Sequence, residues 1–338
     1  MEWTRSGLKT NAKQFLKTRY WYAFLVLFIM LAIVSAGSSV ISTFVSFGSF
    51  LSPAFMDLQS GDTNSFMTPG FAIFTGILTL LSMALTYTFL ILVGGPVEIG
   101  TRRWFNRTRE GAVASRVGIL FSVFRKGSYR GAVGGYAWMT LWSVVWSLPY
   151  ILFVVPATMI GYVVTWDSWM SFVAAMASRM GTPPGDLEGM DFASILGIQL
   201  PDTSVLLGVF AVLSVLSLLA AIPMIARTLA YSMAPWILAD NPTIGARRAL
   251  RLSIAMTRGQ KLDIFVLYLS FAGWCVLAFL PLLCCIPLGP MFLSPYLYAT
   301  QSELYAFLKH GSVVRGDCTM EELGYLKTAL ADETPPTA

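Results

Sequence analysis

Long apolar runs alternate with short polar stretches along most of this chain. Each run holds about 20 or more residues, and an α-helix of that length crosses the roughly 30 Å hydrocarbon core of a bilayer. The runs predict six membrane spans, at about residues 20–47, 71–95, 131–164, 204–226, 263–283 and 288–308. The predicted fold class is therefore an all-α, polytopic membrane helical bundle that occupies residues 20–310.

The N-terminal residues 1–19 place apolar side chains at helical spacing beside a basic face. Leu8, Ala12 and Leu16 share one side of the helix that this spacing predicts, and lysines lie opposite. Such a helix is typical of segments that lie in the membrane interface. At the other end of the chain, residues 311–338 are polar and predict a tail outside the membrane.

Another amphipathic helix is predicted at residues 243–258. Asp240 or Asn241 is expected to cap its N-terminus, and Gly259 is expected to end it. Its arginines fall on one face, which predicts a surface for anionic lipid headgroups. These arginines are Arg247, Arg248, Arg251 and Arg258.

Three basic amphipathic segments recur along the chain, at residues 4–20, about 116–130 and 243–258. Each of them precedes an apolar hairpin. This order fits a threefold internal repeat, and it fits equally well three unrelated surface helices placed before membrane spans. Both interpretations stay open.

Glycine and proline interrupt two of the predicted spans. The motif GGPVEIG at residues 94–100 is expected to end the second span. Beyond the fourth span, apolar character continues to Ala239, past Arg227 and Pro235, and a helix of that length exceeds the bilayer core. The excess either projects into the cytoplasm, or bends at a proline and lies along the interface.

The third predicted span carries Trp138, Trp142 and Trp146 four residues apart. Their rings therefore line one face of the helix. This stripe is interpreted either as a packing or lipid-facing surface, or as an aromatic cage for a ligand.

Lysine and arginine are distributed unevenly between the predicted loops. Of the 23 basic residues, 22 lie in segments that the spans place on one side, and only Arg179 lies on the other, in residues 165–203. The positive-inside rule then places both termini and residues 243–258 in the cytoplasm. The acidic loop of residues 165–203 is external and is expected to hold an amphipathic helix at residues 168–180.

Composition supports the membrane assignment, and together with the absence of known motifs it argues against metal, cofactor and catalytic sites. With 56% hydrophobic and 12% charged residues and a mean hydropathy of +0.66, the chain is too apolar for a soluble globular protein, in which about 25% of residues are charged. The four cysteines form no CxxC motif and His310 is the one histidine, so neither a metal site nor a bound cofactor is expected. No nucleophile elbow, P-loop or HExxH motif occurs, and no catalytic residue is predicted.

A few charged residues fall at the predicted membrane boundary, where charges are functional candidates by default. Two interpretations are carried forward: ion pairs that lower the cost of holding each charge near the bilayer, and a substrate or proton site. The ion pairs are expected to join a glutamate of this set to Arg102 or Arg227. The candidate cluster comprises Glu98, Arg102, Arg103, Arg227 and Glu303.

Five blocks of sequence stand out: GGPVEIGTRRWF, LAYSMAPWILADNP, ARRALRLSIAMTRGQK, FVLYLSFAGW and SPYLYATQSELYAFL. In their order over most of the chain they resemble the bacterial membrane proteins of the DUF975 family. The long acidic loop between the third and fourth spans departs from the family pattern. The resemblance implies a polytopic bacterial membrane protein without an established activity, and it supplies no catalytic residues.

The expected function is that of a non-enzymatic scaffold or accessory protein in the bacterial cytoplasmic membrane. Basic surface helices predict contact with anionic lipid headgroups, and other membrane proteins are candidate partners. Nucleic acid is not expected as a partner, because membrane orientation accounts for the positive charge. Two alternatives stay open. A transporter of small solutes or lipids needs a central polar cavity, and an enzyme acting on a lipid needs charged residues such as Asp240 gathered around one cavity.

Overall fold

The computed structural model consists of helices and connecting turns, with no strand, in the residues that it describes, which are 3–50, 69–111, 117–179, 202–279 and 289–325. Five of its helical stretches are long and apolar enough to cross a bilayer. They are Tyr20–Phe44, Ile73–Arg109, Tyr129–Trp166, Thr203–Asp240 and Lys261–Phe279. The all-α class predicted from the apolar runs is confirmed.

Eleven α-helices, one π-helical segment and one 3₁₀-helix follow one another within these ranges. They are α1 (Arg5–Leu16), α2 (Tyr20–Phe50), α3 (Pro69–Phe89), the π-helical segment (Leu90–Gly94), α4 (Gly95–Arg109), the 3₁₀-helix (Val117–Phe124), α5 (Tyr129–Arg179), α6 (Thr203–Tyr231), α7 (Ala234–Asp240), α8 (Ala246–Met256), α9 (Lys261–Leu269), α10 (Ala272–Phe279) and α11 (Gly289–Val314). The residues 317–325 that follow α11 are called the C-terminal segment below. Helices α5 and α6 form the most extensive helix pair.

The packed core lies at one end of the long helices, together with the basic segments of the chain. Its largest side chains, each at most 1% exposed, include Trp104 and Phe105 of α4, Trp236 of α7 and Tyr305 of α11. Farther along the long helices the surface is apolar and exposed, as at Leu218, which is 70% exposed. Lipid tails are as apolar as leucine, so a bilayer solvates such a surface. Tertiary packing is therefore concentrated at the basic end.

The apolar face of α1 belongs to this core. Leu8, Ala12 and Leu16 are buried, as the helical spacing predicts, and α1 packs against α11. Thr4 caps the helix, because its hydroxyl accepts a hydrogen bond from the Gly7 backbone N–H. The apolar face of α1, which the sequence predicts to lie in the membrane interface, thus packs against other parts of the protein.

The helix of the second predicted span does not end at the GGPVEIG motif, so the predicted helix break is wrong. Helix α3 passes through the π-helical segment into α4, which continues to Arg109. A π-turn offsets the hydrogen-bond ladder by one residue, and Pro96 follows at the second position of α4, where its missing N–H costs little. Gly95 lets the ring of Tyr136 lie against the backbone. The helix therefore carries its polar second half into the core.

The 3₁₀-helix replaces the amphipathic helix predicted at residues 116–130. Its Leu120 and Val123 are buried. It approaches α4 so closely that a Cβ on Gly100 would overlap the carbonyl of Leu120. Glycine at this position is what allows the two backbones to touch.

The excess length beyond the fourth span ends in a turn at Ser232 and Met233. Helix α6 ends at Tyr231, and α7 begins at Ala234 with Pro235 at its second position. Every residue of α7 is buried. The chain therefore bends beside Pro235, as one of the two predicted alternatives had it, and the segment is buried in the protein core instead of projecting into solvent.

The third candidate span, Tyr129–Trp166, ends close to the predicted boundary at residue 164, but the helix itself continues beyond it. Helix α5 runs through Pro149 and Pro156 to Arg179 without interruption. Part of the predicted loop 165–203, including most of the predicted helix 168–180, therefore continues the third helix. Residues 180–201 of that loop lie outside the described residues.

Neither Asp240 nor Asn241 caps α8. That helix follows Gly245, whose φ of 88° favours glycine. Asn241 instead accepts a hydrogen bond from the Thr243 backbone N–H in an Asx turn, and Asp240 is buried in the core. Gly259, with φ of 77°, lies in the turn after α8, where the sequence predicts the end of the helix.

The sixth predicted span corresponds to α11, which is not among the five apolar stretches. It buries polar side chains, including Lys309, against the core. Helix α11 runs antiparallel to α9 and α10, because Gly289 contacts the carbonyl of Ala278 and the ring of Tyr296 lies 5.3 Å from that of Phe271. The three helices form a hairpin beside α1.

Candidate functional site

Asp240, the last residue of α7, is the centre of a buried polar cluster. Its Oδ1 accepts a hydrogen bond of 2.8 Å from Asn106 Nδ2 on α4. Its Oδ2 accepts hydrogen bonds from the Tyr305 hydroxyl at 2.8 Å and from Lys309 Nζ at 3.2 Å, and the Tyr325 hydroxyl lies 3.1 Å from the same oxygen. The Asp240 cluster comprises Asn106, Glu110, Asp240, Tyr305, Lys309 and Tyr325.

Lys309 of α11 joins Asp240 to a second carboxylate. Its Nζ lies 3.2 Å from Asp240 Oδ2 and 3.3 Å from Glu110 Oε1, and its side chain is only 6% exposed. Nζ also donates to the Tyr325 hydroxyl at 2.7 Å, and that hydroxyl donates to Glu110 at 2.5 Å. A buried charge without a partner is strongly destabilising. The amine and the two carboxylates each lower the free-energy cost of burying the others.

Tyr325 closes the Asp240 cluster from the C-terminal segment. Burial, followed by the nearby carboxylates of Asp240 and Glu110, raises the pKa of its phenol well above the usual value. The hydroxyl therefore stays protonated and available as a donor. Both oxygens of Asp240 accept hydrogen bonds from donors on α4 and α11, and Tyr325 of the C-terminal segment donates its proton to Glu110. The cluster thus fastens four distant parts of the chain to one another.

Glu98 and Arg102, two members of the cluster predicted from the sequence, form an ion pair. Glu98 Oε1 lies 2.5 Å from Arg102 Nη1, one turn apart on α4. The Arg102 guanidinium also lies 5.5 Å from the ring centroids of Trp236 and Tyr298. Cation–π contact of this kind adds to the ion pair in holding a buried charge.

The remaining members of the predicted cluster lie elsewhere. Glu303 lies 3.9 Å from Arg109. Arg103 donates to the Ser122 hydroxyl at 3.3 Å, which ties α4 to the 3₁₀-helix. Arg227 contacts an aromatic ring of α5. The five residues do not converge on one site.

The tryptophan stripe of α5 holds arginines of the same chain. Arg227 of α6 lies 4.2 Å from the ring centroid of Trp146, and Arg247 of α8 lies 5.1 Å from that of Trp138. Trp142 packs edge-on against Trp138 at 6.0 Å. Of the two interpretations of the stripe, the structure supports a packing surface, because the cations that lie over its rings are internal.

The four arginines predicted as a headgroup face are divided between different roles. Arg248 is held by Glu322 of the C-terminal segment, with Nε and Nη2 at 2.5 and 2.9 Å from its two oxygens. Arg247 lies over a tryptophan of α5. Arg251 and Arg258 are exposed and form no ion pair with another described residue, so half of the predicted face is free to contact headgroups.

A row of lysines on α1 forms a further cationic surface. Lys9, Lys13 and Lys17 are four residues apart and share one side of the helix. None of them is in an ion pair within the part of the chain that the structure describes. Lys9 Nζ donates to the Ser270 carbonyl at 3.2 Å and lies 4.3 Å from the ring centroid of Phe271. We call these three residues the α1 lysine row.

Sequence reasoning missed the Asp240 cluster because its members are far apart along the chain. Asp240 was expected as a helix cap or as one of the charges of a lipid-enzyme site, and Lys309 was given no role. One signal was present: Tyr305 and Lys309 are four residues apart and so share a helical face. Their partners, Asp240 and Asn106, are separated by 134 positions, and no local pattern connects them.

The long apolar helices and the exposed apolar surface around them are those of a membrane protein. A family model described as "Protein of unknown function (DUF975)" matches residues 136–311, slightly more than half of the chain. The chain belongs to this family. No curated protein and no solved structure matches it.

The matched range divides the Asp240 cluster. It includes Asp240, Tyr305 and Lys309, whereas Asn106, Glu110 and Tyr325 lie outside residues 136–311. The centre of the cluster thus belongs to the family region, and α4 and the C-terminal segment supply its outer partners.

Proposed function

We propose that this chain is a non-enzymatic protein of the bacterial cytoplasmic membrane that uses its basic end as a scaffold for anionic lipids and partner membrane proteins. One observation carries the proposal. Inside the core, carboxylates such as Asp240, Glu98 and Glu303 are engaged by cations of the same chain, whereas the α1 lysine row and two arginines of residues 246–258 keep their charge on the surface. Each such residue near a membrane attracts anionic headgroups by about 1 kcal/mol.

The proposed topology has six crossings, with both termini in the cytoplasm. Leu16 of α1 and Leu323 of the C-terminal segment belong to the same buried core, which supports termini on the same side. Helices α9 and α10 lead the chain away from the basic end, and α11 returns it to the same end. The positive-inside rule assigns that side to the cytoplasm, because the free lysines and arginines are concentrated there.

The scaffold proposal is favoured over a lipid enzyme by how the charges of the described residues are used. Two of the cavities, of about 600 and 610 Å³, flank α1 at the edge of the protein. The candidate charges Glu98, Arg102 and Glu303 are used in separate pairs. Both oxygens of Asp240 accept hydrogen bonds from donors of the same chain, which suits a rigid joint.

The experiment is to extract the full-length protein in a mild detergent and to compare its retained lipids and proteins with those of the bulk membrane. We expect phosphatidylglycerol and cardiolipin to be enriched over phosphatidylethanolamine, and we expect the enrichment to fall at high salt, since exposed charges are screened. A monomer that carries lipids in bulk proportion and no partner protein would contradict the proposal.

A further inference from the structure

A groove lies where α1, α10 and the first turns of α11 meet. Its volume is about 610 Å³, within the range of about 300–1,000 Å³ that is typical of ligand pockets. The walls are apolar and include Leu16 of α1, Leu277 of α10 and Leu293 of α11. Leu277 is 55% exposed, so the groove is continuous with the outer apolar surface of α10.

The rim of this groove is cationic. Lys13 and Lys17 line it, and both side chains are exposed. Lys9 lies one turn earlier on the same side of α1. Burial, and then repulsion by Lys13 and Arg5, lower the pKa of Lys9, as expected where positive charges are not neutralised by nearby carboxylates.

Aromatic residues mark the level at which apolar walls give way to the charged rim. Tyr20 and Trp274 both line the groove. The Tyr20 hydroxyl donates to the Phe292 carbonyl at 2.9 Å and so fixes the start of α2 against α11. Tyrosine and tryptophan are enriched at the headgroup level of membranes. From its walls to its rim the groove thus changes from apolar to aromatic to charged, in the order in which a leaflet changes from acyl chains to headgroups.

We propose that this groove binds an anionic glycerophospholipid of the bilayer. Its phosphate lies against Lys13 and Lys17, and one acyl chain lies along the apolar walls. The inference rests on the proposed function and deepens it, because it names a site and a lipid class. A bilayer lipid is favoured over a soluble anion, since a soluble anion leaves the apolar walls unused. It is also favoured over a zwitterionic lipid, whose headgroup gains less from two lysines without acidic partners.

The test is a lipid titration of delipidated, full-length protein in detergent, read by native mass spectrometry. The probes are phosphatidylglycerol and phosphatidylcholine with identical acyl chains. Wild-type protein is expected to bind phosphatidylglycerol more tightly. The double variant Lys13→Gln/Lys17→Gln is expected to weaken that binding roughly tenfold to thirtyfold and to leave phosphatidylcholine binding nearly unchanged.

Two further variants show whether binding requires the lysines and the apolar walls of this groove in particular. Arg251→Gln/Arg258→Gln removes the same charge from residues 246–258 and is expected to change binding less than threefold. Leu293→Trp fills the groove without altering charge and is expected to weaken binding of both lipids. Thermal unfolding of each variant checks that it is folded. The two lysines are exposed, so the charge variant carries the test even if Leu293→Trp unfolds.

The outcomes distinguish the groove from the wider function. If the Lys13→Gln/Lys17→Gln variant keeps the wild-type preference for phosphatidylglycerol, the groove assignment is wrong while the scaffold proposal stands. The same conclusion follows if the arginine variant alone loses the preference. If wild-type protein binds both lipids equally, the lipid part of the scaffold proposal fails, and the groove assignment fails with it.

Discussion

Asp240 and Lys309 form a buried ion pair in which each residue depends on the other. Their side chains are 3% and 6% exposed, and removing either one leaves the other as a buried charge. Breaking a buried pair by removing one partner costs about 3–5 kcal/mol, whereas replacing both partners by apolar residues of similar volume is often nearly neutral. The pair therefore matters more for holding one arrangement of helices than for net stability.

We predict that Asp240→Ala lowers the free energy of unfolding by about 3 kcal/mol, the lower end of that range, because Glu110 still contacts Lys309. The double variant Asp240→Leu/Lys309→Met is expected to lower the free energy of unfolding much less. The measurement is chemical or thermal unfolding of purified protein in detergent. Asp263→Ala, at an exposed position, is the matched control and is expected to change stability by less than about 0.5 kcal/mol. An effect of Asp240→Ala no larger than the control would show that the cluster carries no structural role.

The C-terminal segment is held on α8 and on the turn before it by a few polar contacts. Arg248 binds both oxygens of Glu322, and Asn241 Nδ2 donates to the Glu322 carbonyl at 2.9 Å. Leu323 is buried beside them. Because Tyr325 completes the Asp240 cluster, docking of this segment and integrity of the cluster are coupled.

This contact predicts a pH dependence. Hydrogen bonds from Arg248 lower the pKa of Glu322 below its usual value of about 4.5. The ionised carboxylate therefore adds stability at pH values above 4.5, and the gain is lost as the pH falls through the lowered pKa. For a surface ion pair the gain is about 0.2–1 kcal/mol. We expect Glu322→Gln to lower the melting temperature at pH 7 and to match wild type at strongly acid pH. A difference that stays constant with pH would show that ionisation of Glu322 does not contribute.

Across the residues that the structure describes, packing and positive charge lie at one end and exposed apolar helices at the other. This arrangement predicts the accessibility of single cysteines in a variant lacking the four native ones. A membrane-impermeant thiol reagent should label Ser60→Cys and Met190→Cys in intact cells, and Arg251→Cys only after permeabilisation. Arg251 is a better reporter than Arg248, because Glu322 holds Arg248. Labelling of Arg251→Cys in intact cells, with the other two protected, would reverse the orientation.

Several features of the fold were predictable because they depend on neighbouring residues. The spacing of Leu8, Ala12 and Leu16 predicts the buried face of α1, and glycine at position 259 predicts the turn after α8. The helix breaks were predicted less well. Gly95 and Pro96 do not end a helix here, since a π-turn absorbs the missing hydrogen bond, and Pro149 lies inside an uninterrupted α5.

Side-chain contacts were predictable only between residues that are close together in the sequence. The sequence predicts an ion pair at the start of α4, and Glu98 and Arg102 form it because they are one turn apart. It does not predict that Arg227 lies over Trp146, or that Arg248 binds Glu322. These partners come from parts of the chain whose relative placement depends on packing throughout the core.

Apolar length, helical period and the one-sided distribution of lysine and arginine established that this is an all-helical membrane protein with a basic end. Those properties are local or additive, so they can be read along the chain. The burial of α7, the Asp240 cluster and the groove beside α1 emerged only from the folded chain. They join residues such as Asp240 and Lys309, 69 positions apart, and a contact of that kind depends on how every intervening helix packs.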